Sequence, residues 1–300
     1  MSTAIVWLRS TLRVHDNPLL DWAHGSEEID SVIPVFVLDT GRGMGEGGHI
    51  GPNRMRFLYD SLTDLDDRLR REYSARLLVL EGRPEEAIPL LAEELGTAGW
   101  LLCDYQADPR SREQIGEIEA SVSGTGVRTK VFPSVSTILD VEEAIARPGF
   151  RDPKSSSDIG AIMGRNLGEG PDGYLVPPPS DPPASVKFEA REYDSLRGSE
   201  SLSGLVVTRG EVSRRIDDLG TGEPYFPGGE SEALDRLRRK VSDRPDFVNG
   251  FRKPATMSTN ETGAPLEPST TGLSPYLSTG CLSVRKVWQE CAKANIGSDH

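Results

Sequence analysis

The chain has 300 residues, 36% hydrophobic and 27% charged, which is globular composition and excludes a fibrous or wholly disordered protein. A formal net charge of −13 excludes a protein that grips nucleic acid over its whole surface, because phosphate binding needs clustered Lys and Arg; a local basic face is still allowed. No apolar run reaches the length of a bilayer span, and Cys103, Cys281 and Cys291 show neither a disulfide framework nor metal-type spacing, so no metal ligand is assigned.

In chain order, the apolar runs Ala4–Leu8, Val32–Leu38, Leu77–Leu80, Trp100–Cys103 and Val127–Phe132 are short and rich in branched residues, as strands buried on both faces are. The first reads as a strand rather than a leader peptide. Between the runs lie segments of helical spacing. In Asn53–Glu72, Leu58, Leu62, Leu65 and Leu69 recur every three or four residues, and Pro84–Leu95 and Pro109–Val122 follow. The alternation predicts an α/β fold with a five-stranded parallel sheet flanked by helices. We expect this domain over 1–141. Residues 142–227 read as a long Pro/Gly/Ser-rich linker, with Pro177-Pro178-Pro179 and Pro182-Pro183 and too little apolar surface for a core of its own. From 228 to 300 a partial all-α domain is expected: Ser231–Val241 reads as a helix capped by Ser231, and Ser283–Ala294 as another. Residues 231–300 carry 10 Lys/Arg against 8 Asp/Glu, leaving 24 against 39 elsewhere, so the C-terminal segment is the part mild enough to face phosphate.

Four motifs stand out. Trp7–Pro18 (W-L-R-S-T-L-R-V-H-D-N-P) lies where the first strand gives way to the first crossover, the edge at which open parallel sheets bind ligands. It gathers Arg9, Arg13, His15, Asp16 and Asn17; a hydrogen-bonded turn capping a helix at Pro18 is the plainer reading. Gly51–Asp66 opens a helix at Pro52 with Arg54 and Arg56 on its polar side, which reads as a solvated face or an anion-favouring helix start. Pro227–Glu232 (P-G-G-E-S-E) precedes the third domain's first helix, with Glu230 and Glu232 placed for the helix dipole. In Ser269–Ser283 (S-T-T-G-L-S-P-Y-L-S-T-G-C-L-S), hydroxyls and a glycine precede Pro275, an arrangement open both to phosphate binding and to simple capping. No G-x-S-x-G elbow or Walker loop occurs, the histidines His15, His24, His49 and His300 lack ligand spacing, and no catalytic residue is assigned.

Taken in order, H-D-N-P, N-R-x-R-F-L, P-G-G-E-x-E-A-L and T-G-L-S-P-Y-L-x-x-G-C-L-S resemble the cryptochrome/photolyase family, in wording closest to its animal cryptochrome and (6-4) photolyase branch. The resemblance covers roughly Ala4–Val141 and Thr221–Trp288. It implies an antenna domain at the N-terminus, which in some members holds a folate or deazaflavin, and the opening of an FAD-binding helical domain. It assigns Thr270, Thr271, Gly272, Leu273 and Ser274 to the FAD phosphate loop. Phe251–Pro254 (F-R-K-P) looks like the family's F-E-R-P, which gives Lys253 a flavin-phosphate role without a guanidinium fork.

The family chain continues some two hundred residues further, through the isoalloxazine surroundings, the tryptophan relay and the lesion pocket. Of the four tryptophans here, Trp7, Trp22 and Trp100 lie in the α/β domain and only Trp288 beyond it, so no relay is expected from them. Two readings follow. One is an FAD-dependent blue-light photoreceptor or light-driven DNA-repair enzyme, incomplete for photochemistry as a 300-residue chain. The other is a stand-alone antenna, nucleotide-binding or protein-interaction module without catalysis, which would purify colourless. An unrelated nucleotide-binding α/β protein would need a Gly-rich loop after the first strand, and Arg9–Pro18 holds no glycine. The resemblance allows DNA or protein partners and a nuclear or cytoplasmic setting, with no membrane span.

Overall fold

The structure, a computed structural model, describes residues 2–45, 47–133, 135–138, 146, 154–155, 178–224, 226–250 and 271–294. Five strands, β1 (Thr3–Trp7), β2 (Ser31–Asp39), β3 (Leu78–Gly82), β4 (Ala98–Asp104) and β5 (Arg128–Phe132), form one parallel sheet in the order β3-β2-β1-β4-β5. The crossovers are α1 (Pro18–Gly25), α2 (Pro52–Tyr73), α3 (Pro84–Leu95) and α4 (Pro109–Val122), each opened by a proline whose missing N–H costs a helix start nothing.

Alternation along the strands sorts the side chains onto two faces. Ala4 and Val6 pack with Leu19 and Leu20 of α1 and Leu58, Leu62, Leu65 and Leu69 of α2. Ile5 and Trp7 pack with Ile88 and Leu91 of α3 and Ile115 and Ile118 of α4. Each buried leucine contributes roughly 1.5–3 kcal/mol. The strand order reverses between β1 and β4, which leaves a crevice beyond their carboxyl ends, between Arg9 and Gln106.

The stretch expected as a linker is organised where the structure describes it. Residues 178–224 include α5 (Ala190–Gly198) and α6 (Arg209–Asp218) and bury Val186, Tyr193, Leu196, Leu202, Val207 and Val212. Its apolar residues are too sparse for a separate core, but spaced well enough to close the sheet's existing one. Val207 N donates to Val79 O (2.9 Å) and Glu81 N to Leu205 O (2.7 Å), so this strap runs along β3. Further on come α7 (Glu230–Leu237), which runs into a π turn at Arg238–Ser242, then α8 (Pro245–Asn249), α9 (Ser274–Thr279) and α10 (Val284–Ala294). Ser231 does not cap α7. Gly229 (φ 118°) occupies that place, and Asp64 of α2 accepts from Ser231 N (3.0 Å) and Oγ (2.7 Å). Ala233, Leu237, Val241, Tyr276 and Leu282 join the α1/α2 side of the core. Among the described residues no helix is long and apolar enough to cross a membrane.

Candidate functional site

The first motif is a buried junction. Asn17 caps α1 by accepting from Leu19 N (3.1 Å) and Leu20 N (3.3 Å), while its Nδ2 donates to Arg13 O (2.7 Å). The capping reading therefore holds, but the neighbouring side chains do more. Glu230, fully buried at the start of α7, accepts from Val14 N (2.7 Å), His15 N (2.9 Å) and His15 Nδ1 (2.5 Å), and pairs with Arg68 of α2. Ser283 N donates to His15 Nε2 (3.3 Å), so the imidazole accepts there and carries its proton on Nδ1, toward Glu230. Asp16, at φ 46° and fully buried, accepts from Ser180 N (2.9 Å), Ser283 Oγ and Arg285 Nε (3.1 Å). Arg13 donates to His15 O (3.1 Å), Asp16 O (3.0 Å), Gly280 O (3.0 Å) and Val135 O (3.2 Å).

This network joins the first crossover, the strap, α7, α9 and α10. Burial pushes the Arg13 guanidinium down from its ordinary value, and the Asp16 and Glu230 charges push back. Burial alone would raise Glu230; the hydrogen bonds from His15 and the Arg68 charge more than offset it and hold the carboxyl below the usual range. The structure separates Arg9 from the rest of its motif. Its guanidinium lies over the Trp7 ring (4.5 Å) and reaches Gln106 Oε1 (3.4 Å).

Of the six predicted phosphate-loop positions, Lys253 and Thr270 lie outside the described residues. Thr271, Gly272, Leu273 and Ser274 lead directly into α9. Gly272 turns at φ 64°, Leu273 is buried, Ser274 is exposed, and among the described residues no side chain caps the helix start. A bare helix start behind a positive-φ glycine presents N–H groups that can donate to an anion.

What fixes α9 is its far side. Tyr276 is fully buried, stacks edge-on against Phe57 at 5.1 Å and donates to Pro227 O (2.9 Å); burial pushes its hydroxyl up to about 12. Gly280 ends α9 at φ 73° so close to the first motif that a Cβ there would stand 1.8 Å from Ser10 O. The helix is thus clamped by the junction while its first turn faces outward.

Motifs two and four also meet. Asn53, Arg54, Arg56 and Phe57 of α2 face Ser274, Pro275, Ser278 and Thr279 of α9 across a cavity of about 790 Å³, closed on a third side by Thr221–Pro224 and Phe226. The arginines are therefore cavity walls rather than only a solvated face; Arg56 is held by Asp60 (2.9 Å). No periodicity in the sequence signals this cavity, because three segments distant along the chain build it. A smaller cleft at the crevice between β1 and β4 is lined by Trp7, Arg9, Asp39 and Gln106, and Asp39 and Asp104 each keep one buried carboxylate oxygen without a hydrogen-bond partner among the described residues. Of the tryptophans, Trp22 and Trp100 meet edge-on at 4.9 Å on the sheet.

This architecture has counterparts. A family model described as DNA photolyase matches residues 4–155. The (6-4)DNA photolyase of Arabidopsis thaliana is 32% identical over 301 residues, covering 96% of this chain and 49% of its own. Cryptochrome-1 of Erithacus rubecula is 33% identical over 284 residues, covering 94% and 42%. Among solved structures, the Synechocystis sp. PCC6803 cryptochrome superposes with a TM-score of 0.71 at 20% identity, covering 100% of this chain and 57% of that one. The archaeal photolyase from Sulfolobus tokodaii, solved with two FAD molecules, gives 0.64 at 21% identity, covering 99% and 55%. The chain spans about half the length of the curated relatives it matches. The DNA photolyase model matches just over half of the chain, and the chain belongs to that family, that of the photolyases and cryptochromes.

Proposed function

We propose that this chain supplies the antenna domain and the first phosphate-binding turn of an FAD-dependent, blue-light-driven flavoprotein, either a DNA-repair enzyme or a photoreceptor. The observation that carries the reading is the bare, outward-facing start of α9 behind Gly272, clamped from behind by Arg13, Tyr276 and Gly280. Thr271, Gly272, Leu273 and Ser274 fit a pyrophosphate. Their N–H groups and hydroxyls are donors, and the rigid clamp spares the entropy of ordering a loop on binding. By resemblance, Lys253 and Thr270 extend the same loop. When bound, FAD supplies light-driven electron transfer; the residues here hold its phosphates and orient it. A folate- or deazaflavin-type antenna belongs, by the family resemblance, to the N-terminal α/β domain, while the 790 Å³ cavity, walled by Arg54, Arg56 and Phe57 of α2 and by Ser274 and Pro275, adjoins the phosphate turn itself. DNA or a protein partner, in the nucleus or cytoplasm, follows from the same family reading.

The test is a fluorescence titration of the 300-residue chain with FAD, ADP and riboflavin. The expected result is FAD binding that ADP competes away and that riboflavin, lacking phosphate, does not reproduce. Riboflavin binding as tightly as FAD would overturn the phosphate assignment.

A second reading, a stand-alone antenna- or nucleotide-binding module without catalysis, draws on the cavity itself, whose walls from three segments leave room for one small molecule. It predicts that a pterin or deazaflavin binds in proportion to the chain while FAD does not saturate.

A further inference from the structure

The walls of the 790 Å³ cavity carry groups with nothing to answer them. Among the described residues, Arg54 of α2 has neither a hydrogen bond nor a carboxylate partner, and Glu223 on the third wall has no donor or cation of its own. The Thr221 hydroxyl on that wall is buried and also lacks a partner among the described residues. Arg56 is already engaged. Its Nε lies 2.9 Å from Asp60 and its Nη1 donates to Gly222 O (3.4 Å), which ties α2 to the third wall.

The apolar walls are firmly backed. Phe57 meets the buried Tyr276 edge-on at 5.1 Å, so it is fixed from the α9 side. Phe226 has Arg236 of α7 stacked behind it, with the guanidinium 4.8 Å from the ring centroid. Arg236 is 5% exposed, and its Nη2 lies 3.4 Å from Glu232. Its Nε and Nη1 are buried without a hydrogen-bond partner among the described residues. A cation behind an aromatic ring draws on the ring's negative face. The cavity side of Phe226 is thereby better disposed to stack on an electron-rich heterocycle.

These unanswered groups define what fits. Arg54 calls for an anion, Glu223 for donors, and the two phenylalanines for a flat ring. Inorganic phosphate supplies only the first. A flavin ring offers one N–H between two carbonyls, which would oppose a carboxylate. Adenine offers an amino group beside an acceptor nitrogen. Guanine presents N1–H and its 2-amino group side by side, matching both oxygens of a carboxylate, and its nucleotide carries phosphate at the other end. The volume lies within the range of small-molecule sites.

We propose that the cavity binds a guanine nucleoside monophosphate, with Glu223 on the base edge, Arg54 on the phosphate, and Phe57 and Phe226 against the ring. The Thr221 hydroxyl is placed to serve the sugar or phosphate oxygens. The inference rests on the reading of this cavity as a small-molecule site and does not require FAD at the α9 turn.

The experiment is isothermal titration calorimetry of the 300-residue chain with GMP, IMP and guanosine at constant ionic strength. GMP should bind tightest. IMP, lacking the 2-amino group, and guanosine, lacking phosphate, should each bind about tenfold more weakly, the size of one charge-assisted hydrogen bond. Each variant should then erase one preference and keep the other. E223A should bind GMP and IMP alike while still preferring GMP to guanosine. R54Q should bind GMP and guanosine alike while still preferring GMP to IMP. R71Q, also on α2 but off the cavity wall, should change neither preference. GMP binding no tighter than IMP and guanosine, or preferences unmoved in E223A and R54Q, would overturn the assignment. A pterin that saturates the chain where GMP does not would overturn it too, yet leave the small-molecule reading standing. Binding of neither would end both.

Discussion

The sheet buries Ile5, Val6, Leu101 and Leu102 with no polar atom among their side chains, whereas the junction a few residues away buries Arg13, Asp16, Glu230 and Ser283. The two regions are equally inaccessible to water and differ in what a lost group would cost. A hydrophobic face tolerates exchange for a residue of similar volume. A buried charge network adds little net stability when complete, yet losing one member strands the others. The sheet is therefore a robust platform, and the α7–α10 segment is attached to it by a specific but brittle polar lock.

The sharpest test of that contrast is Glu230→Ala. It leaves Val14 N, His15 N, the imidazole and Arg68 without their shared acceptor and should cost about 3–5 kcal/mol in chemical denaturation. The loss should appear first in probes of α7–α10, with the sheet unfolding later; a single unchanged transition would break the comparison. Gly280→Ala comes next. Its new Cβ meets Ser10 O at a backbone angle that disfavours alanine, so a loss of about 2 kcal/mol and a weaker FAD response are expected together.

Acidification is gentler. Glu230 is held below its ordinary range in the fold, so the unfolded chain binds more protons as pH falls through that range. This part of the stability is fully present near neutrality and is lost progressively below about pH 4.3. Thermal midpoints recorded against pH should fall less steeply in Glu230→Gln than in the wild type. The smallest effect is that of Asn17→Ala, which removes only the α1 cap and its bond to Arg13 O, for about 1 kcal/mol in the same denaturation assay.

Much of the sheet was legible because its signal is local. Strand runs and the Leu58–Leu69 spacing depend on neighbours a few residues apart, and all five strands and α2 to α4 lie within a few residues of where periodicity places them. The strap was not legible, because α5 and α6 borrow their core from β3 and α2 and carry little apolar periodicity of their own. The same limit explains Ser231. Its spacing reads as a cap, but Asp64, more than 160 residues earlier, supplies the acceptor. Arg54 and Arg56 look like a solvated helix face until α9 is folded against them. Glu230 looks like a dipole partner until His15 arrives beneath it. In each case residue type limited the chemistry, and only long-range closure chose among the possibilities.

The strap's run along β3 also bears on how this chain behaves in company. An outermost strand offers a row of amide and carbonyl groups to any neighbouring molecule, and such a row seeds clumping. Here Leu205 and Val207 already occupy part of it, through Glu81 and Val79. The strap thereby leaves less of the β3 edge open to a second copy of the chain.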